Sequence, residues 1–133
     1  MSGFLLDTDW VIDALTGQSS TLRELRRLSP AAIAASVVTV GELFEAAFNS
    51  SNPQAHLANV RSLLGTTDII PVTEPIMTRF AEIRAHLRRR GLMISDFDII
   101  IGSTALEYDL TVLTRNVRHF QRIPDLRIYT PDV

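Results

Sequence analysis

Four oxygen-bearing side chains from separate parts of the chain have types that suit a hard metal cation: Asp7, Glu42, Asp98 and Asn116. Three of them, Asp7, Glu42 and Asn116, fall just after segments that read as buried strands, whereas Asp98 opens a helix. Sites in open α/β sheets form beyond the carboxyl ends of the strands. We therefore expect the four side chains to lie within a few ångström of one another at one edge of the sheet.

Such a cluster indicates a particular chemistry. Three carboxylates close together cannot all stay ionised without a compensating cation. Oxygen ligands of this kind suit Mg²⁺ or Mn²⁺, which keep several waters and favour phosphate substrates. Such a metal can lower the pKa of a bound water and orient a phosphodiester for in-line attack. The sequence thus predicts metal-assisted phosphoryl chemistry.

Asp98 is the central residue of this prediction because of the stretch 95–105 in which it lies. In a helix, four of these residues share one face at spacings i, i+3, i+4 and i+7: Asp98, Ile101, Gly102 and Ala105. The small residues let this face sit close to a sheet, where a carboxylate is costly without a cation. Either Ser95 or Asp96 can cap the first turn, so Asp96 is a candidate for either a helix cap or a further metal ligand.

Three other site candidates also have local alternatives. Glu42 completes the capping-box pattern that starts at Thr39, so it is either a site acid or a helix cap. Asp9 is a turn residue or a supporting residue of the site. Asn116 is either a site residue or part of a turn.

Strands and helices alternate along the chain and must position these residues. Five apolar runs read as strands, at 4–6, 32–38, 68–72, 110–114 and 126–129. Helices are predicted over about 10–15, 20–28, from 39, and over 54–64, 75–90 and 96–108, with a polar loop or single turn at 115–120. Continuous apolar strands that alternate with helices indicate an α/β fold with a mainly parallel sheet. We expect one domain over residues 1–133.

The basic residues narrow the classes of function. All 13 are Arg, and the absence of Lys excludes a Schiff-base or P-loop lysine. Eight of them lie between Arg84 and Arg127, which indicates either a local positive surface for a polyanion or simply solvated helix faces. Arg115 and Arg118, beside Asn116, are the candidates for substrate contact.

Cysteine is absent, so disulfides and thiolate metal sites are excluded. No apolar run approaches the roughly 20 residues of a membrane-spanning helix. An acid interrupts the apolar start of the chain, which argues against an export signal. We expect a cytoplasmic protein with no membrane partner.

Taken in series, four motifs resemble the PIN-domain family, and within it the VapC-type toxins of bacterial toxin–antitoxin pairs. They are LLDTD at 5–9, TVGEL at 39–43, DIIIGSTA at 98–105 and TRNVRHF at 114–120. The resemblance covers nearly the whole chain and implies a three-layer α/β/α sandwich with a five-stranded parallel sheet. It also implies a Mg²⁺- or Mn²⁺-dependent endoribonuclease acting on structured RNA such as tRNA. The partners it implies are a second copy of the chain, a cognate VapB-type antitoxin and operator DNA bound by the complex.

Carried over by position, the resemblance assigns Asp7 and Asp98 to the metal and Glu42 to the completion of the site. Thr114 matches a supporting hydroxyl. Asn116 occupies a position that is Asp in many relatives, which removes one negative charge and leaves open whether one or two metals bind.

Two other readings compete with this one. Asp7-Thr8-Asp9 resembles the opening of haloacid-dehalogenase-like phosphohydrolases, in which Asp7 would be the nucleophile and Asp9 the acid/base. That chemistry normally needs a Lys near the phosphate. The other reading is a catalytically silent binding module whose acids only cap helices. Turnover of phosphomonoesters would identify the first, and the absence of metal-induced stabilisation the second.

Overall fold

Four short parallel strands form the sheet, and each is a mainly apolar run. The structure is a computed structural model that describes residues 3–17, 19–28 and 32–130. The strands are β1 (Phe4–Leu6), β2 (Ile33–Ser36), β3 (Asp68–Ile70) and β4 (Thr111–Leu113), in the order β3-β2-β1-β4. In this register Leu5 pairs with Ala34 on one side and with Val112 on the other.

Helices cover both faces of the sheet. They are α1 (Thr8–Leu15), α2 (Ser19–Arg27), α3 (Val37–Phe48), α4 (Pro53–Leu64), α5 (Glu74–Arg90), α6 (Asp96–Glu107) and α7 (Val117–Phe120). Side chains alternate along a strand, so Leu5 packs with residues of α5 and α6, whereas Leu6 packs with residues of α1, α3 and α4. The expected three-layer α/β/α sandwich is confirmed. None of the helices in the described ranges is long and apolar enough to cross a membrane.

The prediction of a fifth strand over 126–129 is wrong. In the described part of the chain this segment runs beside β4 but forms only one bridge, between Ile128 and Val112. The Tyr129 ring turns instead to the other layer, where it packs edge-on against Phe4 and Trp10. The main contribution of residues 126–129 is therefore the Tyr129 ring in the core, rather than a further strand in the sheet.

The predicted capping box at the start of α3 is also wrong. Ser36 ends β2 and caps the helix, because its Oγ accepts the Val38 N–H at 3.1 Å. Thr39 consequently lies inside the helix and is fully buried. Glu42 therefore does not serve that cap.

The predicted small-residue face of α6 is buried, but the close neighbour of Gly102 is the segment after α7 rather than the sheet. Ile101, Gly102 and Ala105 are buried. A Cβ at Gly102 would lie 2.5 Å from Cδ1 of Ile123, so glycine lets the segment after α7 pack closely on the helix. The N-cap of α6 is Ser95, whose Oγ accepts the Asp98 N–H at 3.2 Å.

Candidate active site

Asp7 lies at the carboxyl end of β1 and is only 6% exposed. Its Oδ1 accepts the Thr8 N–H at 2.8 Å, and its Oδ2 accepts the Thr114 hydroxyl at 2.7 Å. Burial, and next to it the charge of Asp9, raise the pKa of Asp7 to about 7 despite these hydrogen bonds, and the charge of Asp98 adds to the rise. Asp7 is thus a buried acid with nearby negative charge and a pKa close to neutrality.

Glu42, on α3, is linked to Asp7 through Thr8. The Thr8 hydroxyl donates to Oε1 of Glu42 at 2.6 Å, across 34 positions of sequence. Because Thr8 opens α1 and its N–H donates to Asp7, one residue connects the two acids. Sequence reasoning assigned Thr8 no role; the only available signal was a hydroxyl between two acids at a strand end.

Asn116 and Asp98 meet through His119. The Asn116 amide Nδ2 lies 2.7 Å from Nδ1 of His119, and the same ring atom lies 3.7 Å from Oδ2 of Asp98. The latter is an ion pair only when the imidazole is protonated. The Asp98 side chain is only 16% exposed. A single His near a turn carries no specific signal in a sequence.

Thr114 connects Asp7 to Asn116 and so joins the two groups of residues described above. Its hydroxyl donates to Asp7 and accepts the Asn116 N–H at 2.9 Å. A continuous series of contacts therefore links all four predicted site residues, in the order Glu42, Thr8, Asp7, Thr114, Asn116, His119 and Asp98. The four residues are thus linked through intervening hydroxyl and imidazole groups rather than by direct contact with one another.

Asp9 borders this series. Its Oδ2 accepts the Arg115 N–H at 3.0 Å and lies 3.4 Å from the Thr114 hydroxyl. Burial raises the pKa of Asp9, while the hydrogen bond from the Arg115 backbone opposes the rise. Asp9 thus holds the start of the β4–α7 loop beside Asp7, in keeping with a supporting position.

The Arg115 side chain is bound outside the contact series. Its guanidinium hydrogen-bonds Asp13 on α1 and Thr21 on α2, and it lies 5.8 Å from the centre of the Trp10 ring. It joins two helices at the rim of the site. Arg118, the other candidate for substrate contact, is exposed on α7.

Asp96 lies outside the contact series. Its Oδ1 accepts a hydrogen bond from Arg84 Nε at 2.9 Å, and its side chain is 56% exposed. Ser95 provides the cap of α6, so Asp96 is an exposed ion-pair residue and nothing in its surroundings brings it to Asp7.

The donor set can be compared with the needs of a metal. Within residues 3–17, 19–28 and 32–130, no three acidic or histidine side chains are arranged to hold a metal ion. The expected cluster of three carboxylates is therefore not arranged as a metal site among these residues; Glu42 instead accepts the Thr8 hydroxyl. Mg²⁺ needs only one or two carboxylates, since it keeps several waters. Asp7 and Asp98 fit that requirement: they are oxygen donors whose charges repel, and Asp7 has no cationic partner among the described side chains.

Known proteins match this chain in sequence over nearly its full length. The PIN domain model matches residues 4–126. The tRNA(fMet)-specific endonuclease VapC of Shigella flexneri is 31% identical over 127 residues, which cover 96% of each chain. The matched range thus spans all four motifs of the site.

Solved structures match it equally well. A chain in the crystal structure of DNA-bound VapBC from Salmonella typhimurium has a TM-score of 0.90 and 30% identity, covering 97% of this chain and 98% of its own length. A chain of VapBC2 from Rickettsia felis, bound to a DNA fragment from its promoter, has a TM-score of 0.89 and 26% identity over the same shares. The chain therefore belongs to the PIN-domain family and, within it, to the VapC-type members.

Proposed function

We propose that this chain is a Mg²⁺- or Mn²⁺-dependent endoribonuclease, the toxin of a toxin–antitoxin pair, and that it cleaves structured RNA such as tRNA. The observation that carries the proposal is the pair Asp7 and Asp98 at the carboxyl edge of the sheet, where burial, then the negative charge of Asp9 and, less strongly, that of Asp98 raise the pKa of Asp7 to about 7. A divalent cation would neutralise this charge. The names of the relatives, a tRNA endonuclease and VapBC complexes, support the same activity.

Each residue of the contact series has a role in this proposal. Asp7 and Asp98 would hold the cation, which when bound lowers the pKa of a water and neutralises charge on the phosphate. Thr114 fixes the orientation of Asp7 through its 2.7 Å hydrogen bond. Glu42 completes the site, held by Thr8. Asn116 orients His119, which lies against Asp98.

A phosphohydrolase has less support. That chemistry normally needs a Lys near the phosphate, and the chain has no Lys. The silent binding module is disfavoured by the burial of Asp7. A carboxyl that only capped α1 could stay in contact with water and avoid the cost of desolvation.

The partners belong to the same proposal. We propose a homodimer of one-domain chains (residues 1–133), inhibition by a VapB-type antitoxin, and operator DNA bound by that complex. The solved relatives named above are VapBC complexes bound to DNA, which supports the last two. Exposed apolar residues on α1, Ile12 and Leu15, provide surface for a protein contact.

Two acids in the first turn of α6 provide a sharp test. Asp98→Asn should reduce metal-dependent cleavage of folded tRNA at least 100-fold, whereas Asp96→Asn, which removes an exposed ion pair, should leave it within about twofold. Cleavage would be measured with Mn²⁺ or EDTA on protein freed of any co-purifying partner. Equal activity of Asp98→Asn and the parent protein would remove Asp98 from the site, and turnover of small phosphomonoesters would favour the phosphohydrolase.

A further inference from the structure

An aromatic side chain stands directly beside Asp98. Phe97 lies in the first turn of α6 and is 46% exposed, although the next residue along the helix turns into the site. Successive side chains of an α-helix differ by about 100° in direction. Phe97 therefore lies on the rim next to the acid, with Leu92 and Met93 of the preceding loop also exposed.

This loop is held in place by Arg122, which follows α7. Nη1 of Arg122 donates to the Met93 carbonyl at 3.2 Å and lies 3.4 Å from that of Leu92. The segment leading into Phe97 is consequently fixed against the element whose His119 contacts Asp98. The rim has a defined shape beside the proposed metal site.

The charge around this rim is mainly positive. Arg84 pairs with Asp96 and Arg79 pairs with Glu107, so α5 and α6 run antiparallel. The last turn of α5, with Arg88, Arg89 and Arg90, therefore lies at the same end of the molecule as Asp98 and Phe97. Arg118 on α7 adds a further exposed cation. Exposed apolar surface among cations complements nucleic acid, which offers flat bases between phosphates.

We propose that Phe97 stacks on an unpaired base of the RNA next to the scissile phosphodiester, while Arg118 contacts a neighbouring phosphate. The inference rests on the proposed endoribonuclease function and adds the form of substrate taken: a nucleotide splayed out of a loop or single strand. RNA is commonly recognised in this way, because unstacked bases can stack on aromatic side chains. A base held there would place its backbone beside Asp98.

The test is RNA binding in the Asp98→Asn background, where cleavage does not interfere. The probe is a labelled, unstructured ten-nucleotide RNA, with a blunt RNA duplex for comparison. Phe97→Ala should weaken binding of the single strand roughly 10- to 100-fold, the range found when one stacking side chain is removed. Phe97→Leu, which keeps an apolar side chain without a π face, should lose most of the affinity as well. Phe97→Trp should retain it, and its fluorescence should be quenched by the single strand.

Phe48→Ala is the matched control. Phe48 is also an exposed aromatic, but it ends α3 about 9 Å beyond Glu42 along a helix that leads away from the carboxyl edge of the sheet. Its removal should leave RNA binding unchanged.

The outcomes separate the inference from the function on which it rests. Unchanged affinity in Phe97→Ala, or full affinity in Phe97→Leu, would overturn stacking and favour a protein partner for this rim. Stacking would also be overturned if the parent protein cleaved tRNA and Phe97→Ala cleaved it with an unaltered kcat/KM. Conversely, affinity that depends on Phe97 in a protein that cleaves no RNA would refute the nuclease proposal and leave the stacking site standing.

Discussion

The pKa of a single carboxyl, Asp7, couples the site to the stability of the fold. Its ordinary pKa is 3.8 and its folded-state pKa is about 7, so between these values the folded chain holds a proton that the unfolded chain releases. Stability from this group is therefore present at low pH and is lost as the pH rises from about 4 to about 7. Burial raises the pKa of Asp9 too, which adds in the same direction. A bound cation would reverse the loss by stabilising the charged form.

We accordingly predict that Asp7→Asn removes part of the pH dependence of unfolding. In EDTA, the parent protein should lose up to a few kcal/mol of unfolding free energy between pH 5 and pH 8 relative to Asp7→Asn, since one pKa unit corresponds to about 1.4 kcal/mol. Urea denaturation at the two pH values measures this difference. Mn²⁺ should restore stability at pH 8 in the parent protein and much less in the variant. Parallel pH profiles would show that Asp7 ionises normally.

Among the elements, α1 and α2 are joined to the β4–α7 loop by Arg115. Its backbone N–H holds Asp9, and its guanidinium binds Asp13 and Thr21 while lying over Trp10. One residue thus ties the rim of the site to two helices. The side chain is half exposed, so solvent screens its charge and the hydrogen-bond geometry accounts for most of its effect.

Arg115→Ala should therefore lower the unfolding free energy by about 1 kcal/mol, because it removes hydrogen bonds made by a charged group at a partly exposed position. RNA cleavage should fall modestly, since Asp9 keeps its bond to the backbone. Arg79→Ala is the control: it removes an exposed ion pair with Glu107 and should cost less than about 0.5 kcal/mol. Equal losses in the two variants, measured by urea unfolding, would mean that Arg115 does not join the helices.

The elements also show which features a sequence can predict. Strand and helix order followed from hydrophobic period. Three of the four site residues followed from their positions at strand ends, and Asp98 followed from its place at the head of a small-residue helix face. The N-cap of α3 could not be predicted, because Ser36 and Thr39 both have capping side chains. The choice depends on where β2 stops pairing with its neighbours, which is at Ser36. The bond from Thr8 to Glu42 depends on two helices meeting, across 34 positions, and no local pattern reports it.

At the scale of the whole molecule, the net charge of −2 conceals an uneven distribution. The antiparallel arrangement of α5 and α6 places Arg88, Arg89 and Arg90, all exposed, at the end that carries Asp98. Cations that neutralise phosphates release counterions, so binding through them weakens as salt rises. The position of this basic turn beside the site therefore indicates how RNA is oriented on the protein as a whole.

Replacing Arg88, Arg89 and Arg90 together by Gln should reduce RNA affinity and flatten its salt dependence. For single-stranded RNA, the slope of log K against log salt should decrease by about 0.7 for each phosphate that the protein no longer neutralises. Replacing Arg26 and Arg61, which are exposed on helices of the opposite layer, should change neither affinity nor slope by a comparable amount. The measurement is a binding titration of the Asp98→Asn protein at several salt concentrations. If both sets of variants lower affinity equally, only the net charge of the protein matters. If only the replacements in the last turn of α5 lower affinity, RNA crosses the molecule from this turn to Asp98.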